Sequence, residues 1–284
     1  MTFPETRLTL IRRLSSGGSD TDWLDFLDDY WLALCAFAGR WGRLSLADAE
    51  DVAAETLQAI VRNQLLSRWQ AHRAARLRTL LCSVARHVIS NRARVEHGRN
   101  RVLRGLAQGP ADDLPPSILP AHEPSQEQAD VFYQAWVDDL LERSVQTLLE
   151  HLHGAGKGDY FRVLYGRLCE ELPLSQVASM LQIPAATAEN YYKAATKRLA
   201  RELERAVRQH VQKYGGEGAE DDEFRAEWSQ LSDYLRAHGG IEKAVRECHQ
   251  RTVSGTHPSP DSQARADTAA MLIAAVATTS PTGT

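Results

Sequence analysis

Between Trp23 and Trp41 the large apolar residues return at steps of three and four: Trp23, Phe26, Leu27, Tyr30, Leu34, Phe37, Ala38 and Trp41. That spacing predicts one broad apolar stripe on an α-helix, which is stable only when buried against other elements. The helix should end near Gly42. A second is expected to open at Ser45, whose hydroxyl can cap with Asp48 three residues on, and Val52, Leu57, Ile60 and Val61 give it a buried side. A third is expected from about Ala74 to Arg94, with Leu77, Leu80, Leu81, Val84, Val88 and Ile89 inward and its arginines outward. The fold class read from this pattern is all-α.

Past this helix the pattern collapses into AQGPADDLPPSILPAHEPSQ, too rich in proline and acid to bury the apolar surface that ordering requires. It reads as a flexible linker. Helical periodicity resumes at Ala129 and continues to about Tyr214, interrupted by GAGKG at Gly154 to Gly158. That interruption lacks the spacing of a phosphate-binding loop and follows no strand, so an interhelical loop is expected. GGEGAEDDE then reads as a second hinge, followed by one or two short helices and a small, polar tail, Thr252 to Thr284, expected to be disordered. The expected divisions are therefore 1–104, a linker at 105–128, 129–214, and an extension at 215–284.

The 284 residues, 43% of them hydrophobic, suffice for two modest helical domains. No run is long and apolar enough for a membrane span, and MTFPETRLTLIRRL lacks the apolar core and cleavage site of a leader, so no membrane is expected and the expected location is the cytoplasm. Cys35, Cys82, Cys169 and Cys248 are scattered and read as reduced thiols. Cys248, His249 and His257 have no recognised ligand spacing, so neither metal nor cofactor is expected. Catalytic residues are not expected either: there is no nucleophile elbow, phosphate loop or carboxylate pair at an apolar site.

The net charge of −4 conceals a separation along the chain. From Asp20 to Glu55 acids dominate, whereas from Arg62 to Arg104 arginines are opposed by Glu96 alone. Such asymmetry suggests one basic and one acidic partner. The simpler account of the acids is a solvated helix face with dipole-favoured residues in its first turn.

A second informative pattern is LPLSQVASMLQIPAATAENYYKAATKRLARELERAV. Pro173 suits the start of a short helix carrying Val177, Ala178 and Leu181; Gln182 and Ile183 turn the chain, and Pro184 starts a helix with Ala188, Tyr191 or Tyr192, Ala195 and Leu199 inward. Two helices joined this tightly, at about 173–199, form a helix-turn-helix suited to a DNA major groove. Thr187, Glu189, Asn190, Lys193, Lys197 and Arg198 would face outward, where they offer base-edge and phosphate partners. An ordinary helical hairpin with a solvated basic face is the alternative.

The order of these parts resembles a bacterial sigma factor of the extracytoplasmic-function (ECF) type, in the sigma-70 family. DAEDVAAETLQAIV is similar to the region 2.2 motif D-A-E-D-L/V-x-Q-E-T/V-F/L, with Ala54 where the family usually has Gln. LRTLLCSVARHVISNRAR resembles regions 2.3 and 2.4, with Leu80 in place of an aromatic and His87 in place of Asn. LPLSQVASMLQIPAATAENYYKAATKRL resembles region 4.2, with Ala194 where a basic residue is frequent.

The resemblance implies that 1–104 is region 2 and 129–214 region 4. It implies RNA polymerase core, through its beta-prime and beta subunits, and promoter DNA as partners, with an anti-sigma factor or other regulator as a further candidate. Asp48, Asp51 and Glu55 would face polymerase. Trp69, Arg78, Arg86, His87, Asn91, Arg92 and Arg94 would lie along the minus-10 element, Trp69 serving as a stacking surface or as packing. Thr187, Glu189, Asn190, Lys193, Lys197 and Arg198 would read the minus-35 element. A helix-turn-helix regulator acting without polymerase is the alternative function. Phe224, Trp228, Leu231 and Leu235 further suggest a C-terminal helix folded back over a DNA or polymerase surface.

Overall fold

Ser19 and Asp22 start a helix with a long buried face by satisfying each other's backbone. The Asp22 N–H donates to Ser19 Oγ at 3.2 Å, and Asp22 Oδ2 accepts from the Ser19 N–H at 2.9 Å. The helix then runs to Gly42, and Arg43 ends it in the left-handed region at φ 51°.

The computed structural model describes residues 10–71, 77–103, 124–214, 220–253 and 263–279. Among these the regular structure is twelve α-helices and no strand. They are α1 Leu10–Ser15, α2 Asp20–Gly42, α3 Leu46–Arg62, α4 Leu65–Ala71, α5 Leu77–Leu103 and α6 Gln126–Gly154. After these come α7 Gly158–Leu168, α8 Leu174–Met180, α9 Ala185–Tyr214, α10 Glu220–Ala237, α11 Gly240–Val253 and α12 Gln263–Thr279. Among the described residues no helix is long and apolar enough to cross a membrane.

The described residues group into two compact units, one drawn from 10–135 and 263–279, the other from 136–253. In the first, α2 packs on α3 and α5, and α3 packs on α5 and α4. The apolar stripe read from Trp23 onward is buried as far as Ala38, and Phe37 meets Phe132 of α6 with ring centroids 5.4 Å apart. Small residues set the spacing where α2, α3 and α5 converge: Ala38, Ala49, Val52 and Val88 form one buried cluster. As expected, Val52, Leu57 and Ile60 face the core of α3, while Val61 is only half-buried.

In the second unit α9 carries a buried line at near-regular spacing: Ala188, Ala195, Leu199, Leu203, Val207 and Val211. α7, α8 and α10 pack against it, and Trp136 of α6 meets His210 edge-on at 5.2 Å. GAGKG is the loop between α6 and α7. The extension forms α10 and α11; Phe224 lies under the guanidinium of Arg208, 4.0 Å from its ring centroid, which sets this helix on the C-terminal half of α9.

Two expectations need correction. The tail was expected to be disordered, yet 263–279 is helical, because its alanines favour helix and Leu272 has α2 and α3 to bury against. Nor do all the arginines of α5 face outward: Arg78 is 7% exposed, its guanidinium 5.1 Å over the ring of Tyr133. The expected linker lies mostly outside the described residues; its last part, from Gln126, already belongs to α6.

Candidate functional site

Ser45 caps α3 as expected. Its hydroxyl accepts from the Asp48 N–H at 3.3 Å and donates to Asp48 Oδ2 at 2.5 Å, so one carboxylate of the acidic stripe also holds the helix start. Asp48, Asp51 and Glu55 follow at steps of three and four, which puts them on one exposed face.

That face has a cation of its own. Arg92 of α5 reaches Glu55 through two hydrogen bonds, Nη2 to Oε1 at 2.7 Å and Nε to Oε2 at 3.1 Å. The same guanidinium lies 3.6 Å from Asp51 Oδ2 and 3.5 Å from the Asp48 carbonyl. The hydrogen bond to Glu55 raises the Arg92 pKa, against a smaller opposing effect of burial. These acids therefore have a basic neighbour from a separate helix, although along the chain acids and arginines are segregated. Arg92, assigned to DNA, closes one edge of the carboxylate stripe, while Asp51 stays 65% exposed at its side chain.

The remaining α5 residues divide. Arg86 Nη1 donates to Gln128 Oε1 at 3.2 Å, and the Cys82 thiol reaches the Gln128 carbonyl at 3.6 Å. Together with Arg78 over Tyr133, these contacts fix α5 to the first turns of α6. Gln128 in turn forms a reciprocal cap with Ser125: the Ser125 N–H donates to Gln128 Oε1 at 2.9 Å, and the Gln128 N–H to Ser125 Oγ at 3.3 Å. Asn91 Nδ2 donates to His87 Nε2 at 3.1 Å, one turn apart on α5, and both are half-buried. Arg94 is exposed, and Trp69 on α4 is half-buried.

In the second unit two helices joined by a tight turn stand where they were expected, except that Leu181 lies just beyond the first of them. α8 and α9 are joined by Leu181 to Pro184, with Gln182 in the left-handed region at φ 55°. The Ile183 N–H returns to the Ala178 carbonyl at 3.0 Å and closes the end of α8. Val163, Val177, Ala178 and Ala188 form its core. Close approach is essential here, since a Cβ on Gly166 of α7 would stand 3.0 Å from Val177 Cγ2.

Outside this core Glu189, Asn190, Lys193 and Lys197 are exposed, while Thr187 and Arg198 are half-buried. Asn190, Lys193 and Lys197 follow at steps of three and four along one line, which the exposed Arg201 continues. The far side is braced by α11. The Tyr192 hydroxyl donates to Glu242, Arg246 Nε donates to the Leu168 carbonyl at 3.0 Å, and the Tyr165 hydroxyl meets His249 Nε2 at 3.3 Å. Burial, with Glu242 adding to it, raises the Tyr192 pKa well above the usual phenol range and keeps the donor protonated. Tyr191 stacks on Tyr160 of α7 at 4.0 Å between centroids, and Lys157 lies 5.9 Å from the Tyr160 ring.

Sequence reasoning missed three features. The Arg92 contacts depend on helix packing and leave no local signal. Arg201 was legible from spacing alone, four residues past Lys197. The Ser125–Gln128 cap was also legible, as a serine followed three residues later by a glutamine. No family model matches the chain, and neither a curated protein nor a solved structure is significantly similar to it.

Proposed function

We propose that the protein is a promoter-specificity subunit of RNA polymerase, of the ECF sigma type, with no catalytic activity of its own. The observation that carries this reading is the coexistence of two surfaces on one chain. One is an exposed carboxylate stripe at Asp48, Asp51 and Glu55; the other is a helix-turn-helix whose outer face bears Asn190, Lys193 and Lys197. The carboxylates suit a basic helical surface of polymerase core. The basic face suits duplex DNA at the minus-35 element, with Thr187, Glu189 and Arg198 beside it. In this reading 1–104 acts as region 2, 105–128 as a linker and 129–214 as region 4, and the work is done in the cytoplasm. Of the region 2 groups Arg94 is exposed, while Trp69, His87 and Asn91 are half-buried; Arg78, Arg86 and Arg92 serve the minus-10 element only by giving up the contacts described above.

Co-purification with polymerase core tests the reading. Asp51→Lys is the informative change, because Asp48 also serves the cap of α3 whereas Asp51 holds only a long contact with Arg92. Loss of co-purification with an unchanged thermal midpoint is expected. The Arg92–Glu55 pair favours a second reading, a DNA-binding regulator that acts without polymerase, because it gives the acids a partner within the chain. No co-purification with the natural sequence supports that reading, whereas retained co-purification of the Asp51→Lys protein shows that polymerase is held through another surface.

A further inference from the structure

α11 meets the helix-turn-helix from behind. Ala244, Val245 and Cys248 bury its apolar side, and its polar groups reach three other helices of the same unit. On α6, Arg251 Nη2 pairs with Asp138 Oδ1 at 2.6 Å; that carboxylate is only 3% exposed, and the Cys248 thiol donates to the carbonyl of the same residue at 3.4 Å. On α7, Arg246 Nε donates at 3.0 Å to the Leu168 carbonyl, one of the last carbonyls of that helix and so without an acceptor role inside it. The same guanidinium lies 3.5 Å from Glu171, and His249 meets the Tyr165 hydroxyl. On α9 the contact is the hydrogen bond that the Tyr192 hydroxyl donates to Glu242.

Tyr192 stands two residues after Asn190 and five before Lys197, which places it roughly 160° and 140° around the helix from them, beside the buried line of Ala188, Ala195 and Leu199. α11 therefore holds α9 from the side opposite Asn190, Lys193 and Lys197, and all three stay exposed with it in place. α10 leaves them exposed as well, because Phe224 lies under Arg208, farther along α9. Where Phe224 to Leu235 was expected to fold back as a mask, the extension grips α9 and leaves its outer face open.

We propose that α11 sets the orientation of α9 for base reading, with Tyr192 and Glu242 as positioning residues. The inference rests on the reading of α8 and α9 as a DNA-binding pair. An asparagine amide reads a base edge in one geometry and must be held to roughly 0.5 Å, whereas lysine ammonium groups on flexible stems follow a phosphate through small changes of angle. The Tyr192–Glu242 bond fixes that angle one turn of α9 away from any DNA contact. Because only aligned molecules read bases, affinity for the preferred sequence falls with the aligned fraction, while affinity for other sequences does not.

The test uses the full chain and two duplexes, one selected from a random library by the natural sequence and one with the same bases scrambled. Fluorescence anisotropy gives the ratio of the two affinities, in which a reduced folded fraction cancels. Tyr192→Phe keeps the ring and removes only the donor, and it is expected to lower the ratio about tenfold, the equivalent of one hydrogen bond to a charged group. Glu242→Ala should match it, the double variant should fall no further, and Glu242→Gln, whose amide oxygen still accepts, should recover most of the ratio. Affinity for the scrambled duplex should stay at the natural value. A natural ratio in Tyr192→Phe, whether or not both affinities fall together, overturns the positioning role and leaves the DNA-binding reading standing. Failure of the natural sequence to enrich any duplex overturns that reading, and the positioning role with it.

Discussion

Arg92 and Glu55 face each other across α5 and α3, joined by two hydrogen bonds of 2.7 and 3.1 Å. The pair links a residue read as DNA-facing to one read as polymerase-facing. Both side chains are substantially exposed, so solvent screening keeps their mutual stabilisation small. Arg92→Ala is therefore expected to lower unfolding free energy by less than about 1 kcal/mol. Urea unfolding of Arg92→Ala, Glu55→Ala and the double variant measures the coupling directly. A loss of about 3 kcal/mol or more would show instead that the pair behaves as a buried structural link.

The cap of α2 gives a pH-dependent prediction. Burial alone would raise the Asp22 pKa, but hydrogen bonds from the Ser19 backbone and from Arg13 outweigh it and hold the carboxyl below its ordinary value. A group depressed in the folded state stabilises the protein above its unfolded pKa, and that contribution disappears as pH falls through the folded value. Asp22→Asn should cost about 1 kcal/mol at neutral pH and flatten the acid limb of the stability curve. Urea midpoints from neutrality down to pH values below the ordinary aspartate pKa of about 3.9 check both effects. An unchanged acid limb would contradict the assignment.

The thiols should resist modification. Burial pushes Cys82 and Cys248 up to about 12, Cys169 to about 11, and Cys35 well above its ordinary value. Little thiolate then exists at pH 8, and three of the four thiols are shielded by packing. In the native protein only half-buried Cys169 should label, and slowly, whereas all four label in denaturant. Peptide mapping after maleimide treatment distinguishes the outcomes; rapid native labelling of Cys35 or Cys82 would contradict the packing of the first unit.

The outer face of α9 should behave as a DNA surface. Lys193→Ala and Lys197→Ala should each reduce the slope of log affinity against log salt by about 0.9 and weaken all sequences alike. Asn190→Ala should instead cost about 1–3 kcal/mol at one base pair. None of the three should move the thermal midpoint, because these side chains are exposed. Fluorescence anisotropy at several salt concentrations provides the measurement.

These predictions draw unequally on sequence and structure. The two helices at 174–180 and 185–214 were legible to within a residue or two, because Pro173 and Pro184 punctuate them and Ala178, Ala188 and Ala195 mark the close contacts, although Leu181, expected on the first helix, lies just beyond it. The start of α3 was legible because a cap is a local interaction between Ser45 and Asp48. The arginines were not: Arg78, Arg86 and Arg92 look alike in the chain, and only packing sends one to Tyr133, one to Gln128 and one to Glu55. α12 was missed because its residues are small and its partners Gln58 and Asp28 lie more than 200 positions away in sequence.

The most direct measurement of the central claim is run-off transcription with purified polymerase core on native upstream fragments. A specific start site that depends on this protein, and is lost with Asp51→Lys, is the predicted result. Binding of those fragments by the protein alone, with no specific start site on any of them, would contradict the account.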